Sequence, residues 1–301
     1  MIAAAFPPAV LAPDAVVEVR ARGIAHARCS LWWSATPSHR GRRMGFIGAL
    51  TALGDDALAE LVQRAAERLH DEGCALAAGP VDGDTWHRYR QVTWSDGTPP
   101  FPLEPFSAAK TAAVWQRAGF APLETYASYR DDELGERDAR VPALEARLRA
   151  AGVTLRPLDP TRFDEELVPI HALALRGFRE GALYAPIGFE PFAAIYRPLL
   201  PQLDPRLCPI AERDGRIVGV LFALRDPRAP GTVVLKTVVR DADRALAGLG
   251  FVLTDRVRAA AHAQGATRAI SALQHDGSVA RSLAARGVVC RRYAVFAKAR
   301  S

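Results

Sequence analysis

The strongest constraint on the fold is a strand–helix–strand pattern that occurs twice in the chain. Its first copy covers 44–80 and its second covers 232–273, and each has an apolar strand, an amphipathic helix and a second apolar strand. In the first helix apolar residues recur at i, i+3, i+4 spacing, Asp55 and Asp56 favour its start, and Gly73 is placed to end it. Two strands joined in this way run parallel with a right-handed crossover, so each copy predicts a parallel strand pair covered by a helix.

The remaining elements give the two halves a similar order. In the first half we predict strands at 15–21, 24–33, 44–52 and 122–130, a Pro-rich loop at 95–105 and a helix at 107–119. In the second half we predict strands at 153–160 and 288–298, helices at 163–180, 188–203, 248–265 and 278–287, and a hairpin that turns at Asp214-Gly215. This order predicts an α/β fold with a mixed sheet flanked by helices.

Length supports a division into two domains, because 301 residues correspond to two units of about 150. We assign an N-terminal arm (1–14), a first domain (15–130), a charged connector helix (131–152) and a second domain (153–301).

Composition excludes several classes of protein. Hydrophobic residues make up 49% of the chain and charged residues 24%, which excludes disorder as the main state. The four Cys form no CxxC pair, so neither a disulfide scaffold nor a metal site is predicted, and free thiols indicate the reducing cytoplasm. No apolar run reaches the roughly 18 residues of a membrane span, and the apolar start of the chain lacks the basic residues of a signal peptide. We expect a cytoplasmic protein without a membrane partner.

The net charge of +6 comes almost wholly from Arg, since the chain has only three Lys. The Arg residues are scattered among acids and form no basic block, so no nucleic-acid partner is predicted. Either all of these Arg residues lie on solvated helix faces, or some of them contact an anionic ligand.

The loop between the second strand and helix is the most informative segment. It carries Arg244, Gly248 and Gly250, and the helix starts directly after it. Glycines let a backbone approach a ligand closely, and the first amides of a helix attract an anion such as a pyrophosphate. An ordinary glycine-bearing turn would have the same pattern.

The order of these elements resembles the GNAT acyl-CoA N-acyltransferases, over roughly 15–130 and 153–300, as in a tandem GNAT protein. That family binds the CoA pyrophosphate on a Gln/Arg-x-x-Gly-x-Gly/Ala loop; Gly248 and Gly250 match the small positions, and Ala245 stands where the family has Gln or Arg. The resemblance implies acetyl-CoA or another acyl-CoA as co-substrate, with its pantetheine arm pairing like a missing strand with the backbone of Val238 and Val239. The residues implied in acyl-CoA binding are Val238, Val239, Arg244, Ala245, Gly248, Leu249, Gly250 and Ser278.

The first half departs from this pattern at the corresponding junction. It has Leu53-Gly54-Asp55-Asp56 in place of a Gly-x-Gly loop, and two carboxylates there would repel a pyrophosphate. We expect the first half to be degenerate for CoA and the second half to hold the acyl-CoA.

Both halves also depart from the family at the position of its usual general acid. Many members carry Tyr five residues before a Gly-Phe pair; here these positions are Trp115 and Leu283. Three other residues are candidates for proton transfer, each with a plain structural alternative. His275 follows a strand that should flank the thioester, Tyr293 lies on the last strand, and Glu212 lies on the hairpin.

Two tyrosines are the candidates for contact with the acceptor, because Tyr184 and Tyr196 fall in the helical region that covers the acceptor in this family. The segment Asp82–Arg90 (DGDTWHRYR) is either a pocket wall, an interdomain contact or a capped loop. These features predict transfer of an acyl group to an amine of a small molecule or peptide. The alternative is a non-catalytic acyl-CoA-binding or scaffold protein of the same fold. A homodimer is compatible with either function.

Overall fold

The computed structural model describes residues 11–105 and 111–300. Its strands are β1 (Ala15–Ala21), β2 (Ile24–Trp32), β3 (Ser38–His39), β4 (Arg42–Ala52), β5 (Leu76–Gly79), β6 (Gln91–Ser95), β7 (Ala121–Asp131), β8 (Thr154–Pro157), β9 (Pro209–Arg213), β10 (Arg216–Arg225), β11 (Thr232–Arg240), β12 (Arg268–His275) and β13 (Val288–Ala299). Its α-helices are α1 (Asp55–Asp71), α2 (Thr111–Arg117), α3 (Val141–Ala150), α4 (Phe163–Gly177), α5 (Phe189–Tyr196) and α6 (Leu249–Ala263).

The strands form one continuous mixed sheet in the order β1-β2-β4-β5-β13-β7-β12-β11-β10-β9-β8, with β3 on β4 and β6 on β13. Successive side chains along a strand point to opposite faces of the sheet, so they enter different hydrophobic cores. Cores with α1 and α2, and with α3 and α6, cover one face, called the α6 face below. A core with α4 and α5 covers the other, called the α4 face. The predicted α/β architecture is confirmed.

The two halves exchange strands at the centre of this sheet. The last strand of the second half, β13, lies between β5 and β7 of the first half. In turn β7, the last strand of the first half, lies between β13 and β12. Each half therefore completes the sheet of the other.

Both predicted parallel pairs are present. β4 pairs with β5 over Met44–Phe46, and β11 pairs with β12 over Thr232–Leu235. Beyond Leu235 and Ser271, β11 and β12 have no further paired residues within the described part of the chain. The chain after β5, in contrast, stays bonded to β4, because the Val81 amide donates to the Ile47 carbonyl. Gly73 adopts a positive φ of 83° after α1, as its predicted role requires. Gly54 is the N-cap residue, so the two Asp lie in the first turn.

Several predicted elements are shorter in the structure. Of the connector, only Val141–Ala150 is helical. The helix predicted over 188–203 changes at Arg197 into a 3₁₀ helix, where Pro198 and Pro201 have no amide to continue the α-helical hydrogen bonds. The segment after β12 is likewise a 3₁₀ helix, Val279–Ala284.

Two predictions fall partly outside the described residues. Of the N-terminal arm only its last four residues are described, and there the Asp14 carboxylate accepts hydrogen bonds from the amides of Trp33 and Ser34. The first part of the helix predicted at 107–119 also lies outside. Across 11–105 and 111–300, no helix combines the length and apolar character needed to cross a membrane.

Candidate functional site

The gap between β11 and β12 lies at the centre of the sheet and opens where both strands are irregular. Lys236 is an extra residue in β11 relative to β10, and it directly follows the last residue paired with β12. On the other side, β12 bulges between Ser271 and Gln274, and Leu273 there has a φ of 59°. Bulges of this kind redirect the backbone and side-chain groups next to them.

On the α6 face, the loop after β11 presents backbone amides at the start of α6. Gly248 has a φ of 84°, which favours glycine, and caps the helix. Within the described residues, the amides of Gly248, Leu249 and Gly250 donate to no acceptor, as expected at a helix start. The amide of Ala245, in contrast, donates to the Asp243 carboxylate. Three amides and the positive end of the helix dipole are thus available to an anion.

The other residues near this loop differ in how they lie relative to it and to the gap. The side chain of Arg244 is exposed to solvent beside the loop. Val238 and Val239 pair with β10 on one side and face the gap on the other. The amide of Ser278 donates to the carbonyl of His275 at 3.0 Å. Leu283 contacts Gly250: a Cβ on this glycine would lie 3.4 Å from both Leu283 methyls.

The corresponding gap of the first half is filled by the chain itself. The Val81 amide donates to Ile47 of β4 at 2.9 Å, and the Ala49 amide donates to the Asp82 carboxylate at 2.6 Å. The chain is so close that a Cβ on Gly48 would lie 2.2 Å from the Val81 carbonyl oxygen. The backbone of β4 that would pair with a pantetheine arm is therefore already paired.

A buried polar cluster lies on the α4 face beside the gap between β11 and β12. It consists of Arg90, Glu104, Ser128, Lys236, Arg291 and Tyr293. The Tyr293 hydroxyl donates to Glu104 Oε1 at 2.6 Å and lies 3.0 Å from Ser128 Oγ, which accepts a hydrogen bond from the Leu273 amide. A chain of hydrogen bonds thus connects the bulge of β12 to the Glu104 carboxylate.

Burial changes the acidity of this cluster. It raises the pKa of the Glu104 carboxyl group, although Tyr293 and Arg291 favour the carboxylate. Arg291 Nε lies 2.9 Å from Glu104 Oε1 as an ion pair, without the alignment of a hydrogen bond. Burial also holds the pKa of Lys236 well below its usual value, and Nζ donates to the Leu103 carbonyl at 2.7 Å. A carboxylate that binds protons more strongly and an ammonium that loses them more easily are both suited to proton transfer.

Arg90 is the most constrained member of the cluster. Its guanidinium lies between the rings of Tyr89 and Tyr126, 3.8 Å and 3.9 Å from their centroids. It donates to the Leu273 carbonyl at 3.3 Å, while its Nε atom has no hydrogen-bond partner within the described residues. Burial lowers the pKa of Arg90 to about 10. Its φ of 82° adds backbone strain.

Of the three proton-transfer candidates, Tyr293 is in this cluster and the other two are outside it. His275 lies at the end of β12, where its Nε2 is 2.7 Å from the Glu124 carboxylate and its ring contacts Tyr126. Glu212 lies on β9, two strands from the gap, and pairs with Arg156 at 2.8 Å.

The residues at the two family tyrosine positions are apolar contacts. Trp115 is fully buried and packs against Phe120 and Phe296. Leu283 lies against Gly250, as described above.

The two tyrosines predicted to contact the acceptor lie on the α4 face. The Tyr196 hydroxyl hydrogen-bonds Thr237, next to Lys236 on β11, and burial raises the pKa of Tyr196 to about 12. Tyr184 is farther along the same layer, where its hydroxyl donates to the Leu175 carbonyl.

The segment Asp82–Arg90 joins the two halves. Trp86 donates to the Ala185 carbonyl at 2.8 Å and packs against Phe178 and Phe192. Asp84 accepts hydrogen bonds from the amides of Trp86 and His87, and from the His87 ring. The interdomain contact and the capped loop are therefore both present in this segment.

Sequence reasoning missed most of the polar cluster. Lys236 had a usable signal, since it is the one charged residue in an apolar strand, TVVLKTVV. Arg90 was included only as part of the aromatic and charged segment. Glu104, in a Pro-rich loop, and Ser128, in β7, have no local signal, because distant segments bring them to the gap.

Solved structures with a similar architecture include GCN5-related N-acetyltransferases (GNAT proteins). A GCN5-related N-acetyltransferase from Sphaerobacter thermophilus superposes with a TM-score of 0.51 and 15% identity over 92% of this chain and 78% of that one. A tandem GNAT protein from the clavulanic acid biosynthesis pathway gives a TM-score of 0.51 and 17% identity over 96% and 84%. The chain therefore has the fold of these GNAT proteins, and the fold predicted from the resemblance is confirmed.

One curated protein provides a sequence match. The bacterial ceramide synthase of Caulobacter vibrioides is 26% identical over 185 residues, which are 61% of this chain and 48% of the relative. The chain therefore matches about half the length of that protein. No protein-family model matches the chain.

Proposed function

We propose that the protein is an acyltransferase that moves an acyl group from acyl-CoA to an amine. The observation that carries the proposal is the gap between β11 and β12, with three available amides at the start of α6 on one face and the polar cluster on the other. A pyrophosphate fits the amides, and a thioester that passes through the gap would reach the cluster. Because the gap of the first half is filled, one acyl-CoA binds per chain.

The likeness to a ceramide synthase supports amide formation as the reaction, since a ceramide is a long-chain base acylated on nitrogen. In this reaction the carbon–nitrogen bond forms and the carbon–sulfur bond of the thioester breaks. The amine must first lose a proton: with a pKa near 10.4 this costs about 4.6 kcal/mol at pH 7. The neutral amine then forms the carbon–nitrogen bond, and its second proton passes to the Tyr293 oxygen while the Tyr293 proton passes to Glu104. The same proton returns through Tyr293 to the departing CoA thiolate, so that the products are the amide and the CoA thiol.

Release of free CoA thiol, measured with acetyl-CoA and hexadecanoyl-CoA against a panel of amines, tests this function. Tyr293→Phe should lower kcat about 10²-fold, as expected for loss of an acid–base group. Tyr129→Phe is the matched control, because it removes a hydroxyl from the α6 face of neighbouring β7.

Two results would change the assignment. Acyl-CoA binding without thiol release from any amine would favour the non-catalytic alternative. Loss of turnover in His275→Ala but not in Tyr293→Phe would move the proton path to the His275–Glu124 pair.

A further inference from the structure

The charge around the gap is unusual for a site that must accept an amine. Arg291 is paired with Glu104, but no carboxylate lies within 4 Å of the Arg90 guanidinium in the described part of the chain. Arg90 is 8% exposed, and a guanidinium cannot lose its proton at physiological pH. A buried charge without a counter-ion destabilises the folded protein. The fold therefore keeps the Arg90 cation at the gap although its burial removes water from the charge and its positive φ strains the backbone.

The geometry around Arg90 points to a ligand. The two tyrosine rings fix its guanidinium plane, and of its five N–H donors one is taken by the Leu273 carbonyl and another by the Tyr126 hydroxyl. Leu273 is in β12, so Arg90 lies on one side of the gap. On the other side, Lys236 extends from β11 towards the same α4 face, where it contacts Leu103. A guanidinium that is bonded to β12 and an amino group that extends from β11 thus lie on the two sides of the gap.

We propose that Arg90 and Lys236 bind an anionic group, a carboxylate or a phosphate ester, that the acceptor amine itself carries. This inference rests on the proposed function and specifies its substrate class. A planar guanidinium held between rings binds such oxyanions with two parallel hydrogen bonds, and Lys236 Nζ adds further N–H donors from β11. The positive charge of the guanidinium disfavours a protonated amine nearby, which makes the acceptor nitrogen easier to deprotonate.

Matched acceptors test the proposal, with thiol release as the assay. L-serine is compared with L-serinamide, and O-phosphoethanolamine with ethanolamine; sphinganine serves as a long acceptor without an anion. We expect kcat/KM to be at least tenfold higher for one of the anionic members than for its neutral partner. The serine and phosphoethanolamine pairs separate carboxylate from phosphate recognition.

Variants separate binding from structure. Arg90→Gln should lower kcat/KM for the preferred anionic acceptor at least tenfold more than for its neutral partner, mainly through a higher KM, whereas Arg90→Lys should keep part of the preference. Arg88→Gln is the matched control, because Arg88 is on the same segment but pairs with Asp82 at the surface. Equal use of neutral and anionic acceptors by the unmodified protein, or efficient use of sphinganine, would overturn the proposal while leaving the acyltransferase function intact. An equal loss on both classes in Arg90→Gln would make Arg90 structural.

A binding measurement covers the case in which no amine is acylated and the proposed function itself fails. N-acetyl-L-serine or N-acetyl-phosphoethanolamine should raise the Tm of the unmodified protein by several degrees, and N-acetyl-L-serinamide should not. In Arg90→Gln the shift should disappear. No difference between anionic and neutral compounds in this assay would reject the anion site independently of catalysis.

Discussion

Gly250→Glu is the sharpest probe of the acyl-CoA site, because it adds a negative charge at the start of α6 with little effect on the fold. Gly250 lies in the first turn of the helix, and its φ is outside the positive region. A Cβ there would meet the Leu283 methyls at 3.4 Å, an ordinary contact distance. An acidic residue in a first helical turn stabilises the helix by about 0.3–1 kcal/mol. The variant should therefore fold at least as well as the unmodified protein.

The expected loss of acyl-CoA affinity follows from Coulomb's law. A carboxylate about 5 Å from one phosphate, at an effective dielectric constant of about 20, costs about 3 kcal/mol. This energy corresponds to a roughly 10²-fold weaker Kd. Gly250→Gln has nearly the same size without the charge, and Gly250→Ala tests the Cβ alone.

Titration calorimetry with acetyl-CoA at low and high salt is the assay. Gly250→Ala should bind within a few-fold of the unmodified protein, and Gly250→Glu should bind about 10²-fold more weakly than Gly250→Gln. The difference between Glu and Gln should shrink at 1 M salt, where screening acts within about 3 Å. If Gly250→Glu binds within threefold of Gly250→Gln at low salt, the pyrophosphate does not lie at these amides.

Three further predictions concern stoichiometry and stability. Acetyl-CoA should titrate to one molecule per chain; a value near two would mean that the contacts of Val81 and Asp82 with β4 do not close the first gap. Trp115→Ala should lower the free energy of unfolding in urea by about 3–5 kcal/mol, because it empties a fully buried site; a loss below 1 kcal/mol would contradict this packing. Burial holds the pKa of Lys236 in the folded protein below its unfolded value of about 10.4. The contribution of Lys236 to the free energy of unfolding is therefore present above that pH, and it is lost as the pH falls through the folded pKa. Lys236→Met should therefore gain stability relative to the unmodified protein between pH 10 and pH 7 in urea titrations, and a difference independent of pH would refute this.

The elements that the sequence predicted well are those with local causes. The hairpin at Asp214-Gly215 is present, with φ of 52° and 71° at the two turn residues, values that Asp and Gly tolerate. The start and end of α1 were predictable from apolar spacing and from Gly73. Both parallel pairs followed from the length of the helix that joins their strands.

The neighbours of β7 and β13 were not predictable in the same way. Each strand follows a short helix and carries tyrosines, and either could have closed its own half. Nothing in their residues distinguishes a partner 20 residues away from one in the other half, because pairing depends on the shape of the assembled sheet. The site shares this difficulty: Glu104 and Tyr293 meet at 2.6 Å from segments that are almost two hundred positions apart in the sequence.

The exchange of β7 and β13 has a consequence for how the protein is made. While the ribosome is still producing the second half, β5 has an unpaired edge, because the strand that covers it is residues 288–299. An open strand edge can pair with other chains and aggregate, and contacts between such distant segments slow folding. The edge of β5 therefore stays open until residues 288–299 have been made, and the sheet of the first half is incomplete until then.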